Sequence, residues 1–428
     1  MLTALARAFR TPELRKKLLF TLFIVLVFRL GQNLPLPNVD VTALKSAADA
    51  AKESDQLYGL LDLFSGGALL KLSVFALGIY PYITASIVLQ LLTVVVPKLE
   101  ALKKEGQSGT TKITQYTRYL TVALAILQGA SVVAMTSAGQ LFRGSDGILH
   151  DKGVFPIATM VVCMVAGTAV TMWLGELVTE RGVGNGMSVL IFTQVVAVFP
   201  GQLWGIYKAK GGFVFALVVI VGLAIMAGVV FVEQAQRRVP VQYAKRMVGR
   251  RVYGGTSTYL PLKVNQAGII PVIFASSLLY LPVLATRLWP DAGWLRRVQP
   301  YLDQANPWHM SAFFALIVFF TYFYVAITFN PVEVAGNMQK YGGFVPGIRP
   351  GRPTAEYLDH VLTRVTAPGS LYLGLVALIP MAALALLDVG DQFPFGGTTI
   401  LIAVGVALDT VKQIESRLQQ HNYEGFLT

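Results

Sequence analysis

Apolar stretches of about 20 residues, nearly free of charge, recur through this chain from residue 18 to residue 414. A stretch of that length crosses the hydrocarbon core of a bilayer as a helix. Lipid offers no partner for backbone N–H and C=O groups, so only helices and closed barrels can span it. The pattern predicts spans at 18–37, 73–96, 116–136, 154–175, 185–204, 212–232, 266–286, 311–330, 368–387 and 397–414. The expected fold class is an all-α polytopic membrane protein with ten transmembrane helices. Composition agrees: 54% of the residues are hydrophobic and 14% are charged, against about 25% charged in soluble domains. No short apolar core is followed by an early Ala-x-Ala site, so no removable signal peptide is expected.

The net charge of +12 would point to nucleic acid in a soluble protein. In a membrane protein it first sets topology, because Lys and Arg are retained in cytoplasmic loops. With the N-terminus inside, most basic residues fall on one face, in segments such as Arg7–Lys17, Lys98–Arg118, Arg237–Lys263 and Lys340–Arg364. Both termini are therefore expected in the cytoplasm. Five spans precede a short loop at 205–211 and five follow it. The halves, 1–204 and 212–428, would then have inverted topology about a hinge, an arrangement that often places a functional path between halves.

Enzyme chemistry finds little support. Cys163 is the one cysteine, so no internal disulfide can form, and the four histidines show no ligand spacing. The GVGNG run at 182–186 lacks the phosphate-loop spacing and its Lys-Ser/Thr end, and reads as a tight turn opening span 5. No cofactor or metal is expected. Ionisable residues deep in spans usually mark ion or proton paths. Here Arg29 is the strong candidate, and Glu176, Glu233 and Glu333 sit at cytoplasmic span ends. That pattern disfavours the alternative of an ion-coupled solute transporter. Gln90, Gln128 and Asn265 could bond helix to helix, or form a polar seam between spans 2, 3 and 7 that holds a gate.

One apolar stretch is broken. Residues 57–82 read LYGLLDLFSGGALLKLSVFALGIYPY. Asp62, Gly66, Gly67 and Lys71 make a poor lipid-facing span, and the glycine pair lets the chain turn back. Two readings stay open: a short re-entrant helix inside a cavity, or an amphipathic helix on the outer surface. A full span is expected from about Ser73, with Pro81 one turn inside it. Ile79 and Ile83 share a face. They are either ordinary core or part of an apolar constriction that excludes water.

Two cytoplasmic loops exceed what connection needs. The segment at 233–265 contains VPVQYA and RVYGGTSTYLPL, which predict strands and a basic hairpin. The segment at 331–366 is stiffened by Pro346, Pro350 and Pro353. Such loops could hold anionic lipid. Their length and rigidity favour docking of a large, partly acidic or RNA-containing partner.

Several strings together resemble the SecY family of protein-conducting channels: FSGGALLKLSVFALGIYPYITASIVLQLL, KKEGQSGTTKITQYTRYLT, MWLGELVTERGVGNGMS, QRRVPVQYAKR, LPLKVNQAGIIPVIFASS and FVPGIRPGRPT. The resemblance implies ten helices in two inverted halves and a pore for unfolded secretory polypeptide. It also implies lateral release of membrane helices, and no enzymatic activity. It implies a pore ring of Ile79, Ile83, Met187, Ile191, Ile273 and Ile402, with Met187 where isoleucine is frequent. It implies a re-entrant plug at about Leu57–Leu72, including Leu60, Leu61, Phe64, Ser65, Gly66, Gly67 and Leu69. It assigns Gln90, Gln128 and Asn265 to a lateral gate. Arg246, Arg250, Arg251, Arg349 and Arg352 would receive the SecA motor ATPase or the translating ribosome. The implied partners also include the SecE and SecG subunits, signal sequences, membrane lipid and a second copy of the chain. The implied location is the bacterial cytoplasmic membrane. An insertase without a continuous pore is a further alternative, which would carry an open polar groove in place of an apolar ring.

Overall fold

The computed structural model describes residues 9, 11–46, 66–137, 139, 148–151, 153–243, 246–248, 251–253, 257–288, 299–301, 306–387 and 397–424. Leu60, Leu61, Phe64, Ser65 and Arg250 lie outside the described residues. Each expected span falls on a helix: α1 (Pro12–Gly31), α2 (Tyr80–Val95), α4 (Gln107–Ser137), α5 (Val154–Arg181), α6 (Gly186–Lys208), α7 (Gly211–Gln234), α8 (Ile270–Leu288), α9 (Pro307–Thr328), α11 (Arg352–Leu387) and α12 (Gly397–Glu424). Among the described residues, six helices are long and apolar enough to cross a membrane by composition alone. The bent pair α2 and α3 (Pro97–Lys104) makes a seventh. The chain is a multi-pass membrane protein.

Proline and glycine set several boundaries. Pro97 forces Val96 into extended backbone, and the chain bends by 99° between α2 and α3. Gly211, at φ +82, breaks the long helical run and separates α6 from α7. Span 2 starts later than expected. α2 begins at Tyr80, and Pro81 lies in its first turn, where its missing N–H removes no helical bond. Residues 66–79 ahead of it form turns.

Both long loops fold. β1 (Gln236–Tyr243) pairs antiparallel with β4 (Ser257–Lys263), with Gln236 opposite Lys263 and Gln242 opposite Ser257. The short ladder of β2 (Arg246–Val248) and β3 (Arg251–Tyr253) lies between them in the chain. β5 (Gly343–Phe344) pairs with the far end of β1, which brings the second loop onto the first. α10 (Pro331–Lys340) starts at Asn330, whose side chain accepts from the N–H groups of Val332 and Glu333. Val239, Leu262, Val345 and Leu358 form a dry core beneath this sheet.

Contacts divide the chain into two compact units. The first holds residues 1–218, 389–394 and 402–428, and the second holds 219–388 and 395–401. In the first unit Leu14, Val183 and Ile414 pack together, so the C-terminal part of α12 is joined to the start of α1 and to the GVGNG turn.

Candidate functional site

The segment 66–79 is built on left-handed backbone. Gly66 (φ +64), Gly67 (φ +83) and Gly78 (φ +55) adopt it, and so does Leu72 (φ +41). Glycine tolerates this conformation because it has no Cβ. Short internal bonds satisfy part of the backbone: Leu72 N–H to Leu69 O (3.0 Å), Ser73 N–H to Ala68 O (3.1 Å) and Gly78 N–H to Phe75 O (2.9 Å). The stretch after α1 supplies more. Leu36 N–H donates to Leu72 O at 2.8 Å, and Val74 N–H donates to Leu34 O at 2.9 Å. Ala68, Leu69, Leu70, Leu72, Phe75, Ala76 and Leu77 are buried. Gly167 of α5 lets that helix touch this backbone, since a Cβ there would lie 2.0 Å from Val74 O.

A charge reaches the start of the segment. Arg29 of α1 donates from Nη1 to Gln32 Oε1 at 2.7 Å and to Gly66 O at 3.1 Å. Lys71 donates from Nζ to Asn33 Oδ1 at 2.8 Å. The ionisable group singled out in the sequence therefore pairs with protein.

Four of the six residues assigned to a ring meet in one apolar cluster. Ile79 is buried among Ile24, Phe28, Phe75, Leu174, Val178, Val189 and Leu190, with Ile83, Met187 and Ile191 packed against the group. Phe28 and Phe75 stack with centroids 5.9 Å apart. The Met187 sulfur lies against Gly175, where an added Cβ would be 2.5 Å away. The GVGNG turn positions it: Gly184 has φ +88, Asn185 Oδ1 accepts from Met187 N–H, and Thr179 Oγ1 accepts from Gly186 N–H. Ile402 is buried in the first unit. Ile273 is buried in the second, on α8.

The residues assigned to a polar seam differ in setting. Gln90 is exposed on α2 and Gln128 is half-buried on α4. Asn265 is buried and donates from Nδ2 to Glu233 Oε1 at 2.6 Å. That bond ties the approach to α8 to the end of α7, within the second unit. A close approach reinforces it, because a Cβ on Gly369 of α11 would lie 2.2 Å from Val264 O.

An ion pair that charge counting does not reveal joins two spans. Arg118, grouped in sequence with the loop cations, lies inside α4 and forms a two-pronged pair with Glu176 of α5. Nε reaches Oε1 at 2.9 Å and Nη2 reaches Oε2 at 2.8 Å. The signal was present: a cation near the start of one span and an acid near the end of the next antiparallel span reach the same depth. On the sheet side, Arg237, Arg238, Arg349 and Arg352 are exposed. Arg246 and Arg251 occupy the β2–β3 ladder. Thr354 Oγ1 donates to Arg349 O at 2.8 Å and fixes the proline-rich turn. Among the described residues no group of three His, Cys, Asp or Glu could hold a metal ion.

Comparison with known proteins agrees with this architecture. A family model described as SecY matches residues 73–411. The protein translocase subunit SecY of Streptomyces scabiei is 64% identical over 100% of both chains. That of Mycobacterium tuberculosis strain H37Rv is 56% identical, again over 100% of both. A solved protein conducting channel superposes with TM-score 0.64 over 94% of this chain and 92% of that one, at 16% identity. Sec61 in a canine ribosome-channel complex superposes with TM-score 0.61 over the same shares, at 15% identity. With most of its length matched by the family model and all of it by relatives of that name, the chain belongs to the SecY family.

Proposed function

We propose that this chain is the pore-forming subunit of a Sec translocon in the bacterial cytoplasmic membrane, with both termini cytoplasmic. It passes unfolded secretory polypeptide across the membrane and releases apolar helices sideways into lipid. Ile79, Ile83, Met187, Ile191, Ile273 and Ile402 form the seal, and the segment ending in 66–72 is the plug. A path for many sequences cannot depend on specific polar contacts. It needs a dry apolar collar that yields to any extended chain, and hydrophobic constrictions can close by dewetting. The single observation carrying this reading is that four of those residues share one apolar cluster, walled by a glycine-rich segment.

A signal sequence, itself an apolar helix, shifts a closed–open equilibrium by binding the open state better. Gln90, Gln128 and Asn265 belong to the gate in this reading, and residues 205–211 serve as the hinge. The folded cytoplasmic sheet with Arg246, Arg250, Arg251, Arg349 and Arg352 receives a SecA-type motor or a ribosome. SecE and SecG complete the channel. The work comes from the SecA-type motor or the translating ribosome, and the chain itself catalyses no reaction.

The test is a photo-crosslinking residue at Ile83 in the channel reconstituted with SecE, SecG and SecA, with a precursor stalled midway. A crosslink to the mature part of the precursor, absent from an outward-facing control on α5, is the expected result. Efficient translocation without that crosslink would move the path elsewhere.

A further inference from the structure

We propose that Arg29 is a positioning residue that holds the Gly66–Gly67 elbow closed, and with it the 66–79 segment against the apolar cluster of Ile79 and Ile83. The inference rests on the channel reading above and extends it to a residue with no place in the apolar seal.

Arg29 lies in the last turn of α1, and a cation at the end of an apolar helix either reaches water or answers to a partner inside the protein. Arg29 is half-buried, and its Nη1 points at the Gly66 carbonyl. Gln32, 1% exposed, accepts from the same nitrogen and so orients it. The acceptor is a backbone carbonyl on an elbow of two left-handed glycines, and among the described residues no helix or sheet ladder satisfies it. A bond donated by a charged group is among the stronger ways to hold such a carbonyl. Both ends of the segment then close on one residue of α6. A Cβ on Gly66 would lie 3.1 Å from Gln194 Cα, and one on Gly78 would lie 2.2 Å from Gln194 Nε2. Gln194 is 2% exposed and sits one turn beyond Ile191, which packs on the ring cluster. Release at Gly66 would therefore loosen a loop that leads directly into Ile79. Lys71 and Asn33 make a second, exposed tie. It cannot replace the first, because solvent competes for it.

The experiment uses the full chain with its partner subunits in sealed vesicles, in a Cys163→Ser background. Two readouts are taken: efflux of entrapped potassium from the idle channel, and translocation of an intact precursor. Arg29→Met should raise the idle leak about tenfold, the scale set by losing one charge-assisted bond that favours the closed state. Intact precursor should still cross at a rate close to that of the parent. A Pro35→Cys/Ser73→Cys pair then replaces the lost tie, since these residues face each other in an antiparallel bridge and such pairs lie within disulfide reach. Oxidising it in the Arg29→Met channel should return the leak to the parental level, and reduction should restore the leak.

An unchanged leak in Arg29→Met overturns the proposal while leaving the channel reading intact. So does a raised leak that the crosslink fails to suppress, which would make Arg29 a topological anchor only. Should Arg29→Met fail to assemble, Gln32→Leu keeps the charge and removes its orienting acceptor. A several-fold rise in leak is then expected, and no rise counts against the proposal. Failure of the parent channel to translocate at all would overturn the underlying reading, and the inference with it.

Discussion

Two stretches of this chain leave the helix, and they satisfy their backbone groups in different ways. The hairpin of β1 and β4 uses a regular ladder, with each residue from Gln236 to Gln242 facing a partner on the other strand. The 66–79 segment has no ladder. It relies on short turns, one bridge to Pro35, and an arginine reaching a carbonyl. The hairpin follows the end of α7 and exposes residues such as Gln236, Arg237 and Arg238, where water satisfies what the ladder leaves over. The 66–79 segment packs against Gly167 in the middle of α5, and irregular backbone beside a span survives only inside protein or a water-filled cavity. A ladder tolerates local loss because its neighbours hold register. A segment packed by close approach has no such reserve.

That contrast is most sharply broken at Gly167. In an exposed helix, Gly→Ala gains helix propensity. Here the new methyl group meets Val74 O, and backbone does not swing aside as a side chain can. Gly167→Ala should destabilise the first unit by about 3 kcal/mol, read as a lower unfolding midpoint in detergent. A higher midpoint would show that the segment gives way, and that its packing resembles the hairpin's.

Leu262→Ala examines the other side. Leu262 is 1% exposed beneath the sheet, and its truncation should cost about 2 kcal/mol or more. The loss should stay local: amide exchange should accelerate across 236–263, and the idle potassium leak should not change. A rise in leak would couple the sheet to the seal and remove the distinction.

The Arg118–Glu176 pair offers a smaller effect. Its side chains are 41% and 22% exposed, so solvent screens much of the attraction. A double-mutant cycle with Arg118→Met and Glu176→Met should give a coupling of about 1 kcal/mol. A value near zero would leave Arg29 as the charge that matters in this unit.

The smallest effect concerns pH. Asp40 follows the stretch that pairs with the 66–79 segment. Its carboxyl is held below the usual carboxylate range, first by the Thr42 hydroxyl and then by the N–H groups of Ala43 and Thr42. A depressed folded-state pKa gives stability that is present above the unfolded value, about 4, and lost as pH falls through the folded value. Protection of the Thr42 and Ala43 amides, their exchange relative to the intrinsic rate at each pH, should hold at neutral pH and fall only below about pH 4. Protection that falls as pH rises would contradict that sign.

How much was legible beforehand can be followed residue by residue. The spans were, because every apolar run had to become a helix once it entered lipid. The β1–β4 hairpin was, because VPVQYA and RVYGGTSTYLPL carry β-branched and aromatic residues, but the second string is divided: RVY pairs with β2 as β3, and STYLPL pairs with β1 as part of β4. The start of α2 was misplaced. Residues 73–79 are as apolar as a span, and hydropathy does not register the left-handed turns at Leu72 and Gly78. Arg29 stood out as a charge in the wrong solvent, but its partner did not, since a carbonyl 37 residues away leaves no mark in composition. Asn265 was noticed as polar, and its bond to Glu233 was not.

By itself, then, the sequence determined the solvent: long uncharged runs require lipid. It also supplied the strings that resemble one channel family. Only the tertiary structure decided which isolated polar groups meet. Arg29 found Gly66, Arg118 found Glu176 and Asn265 found Glu233 across gaps of 37, 58 and 32 residues. Hydropathy is a sum over neighbours in the chain, whereas a hydrogen bond depends on a few tenths of an ångström between groups that only folding brings together.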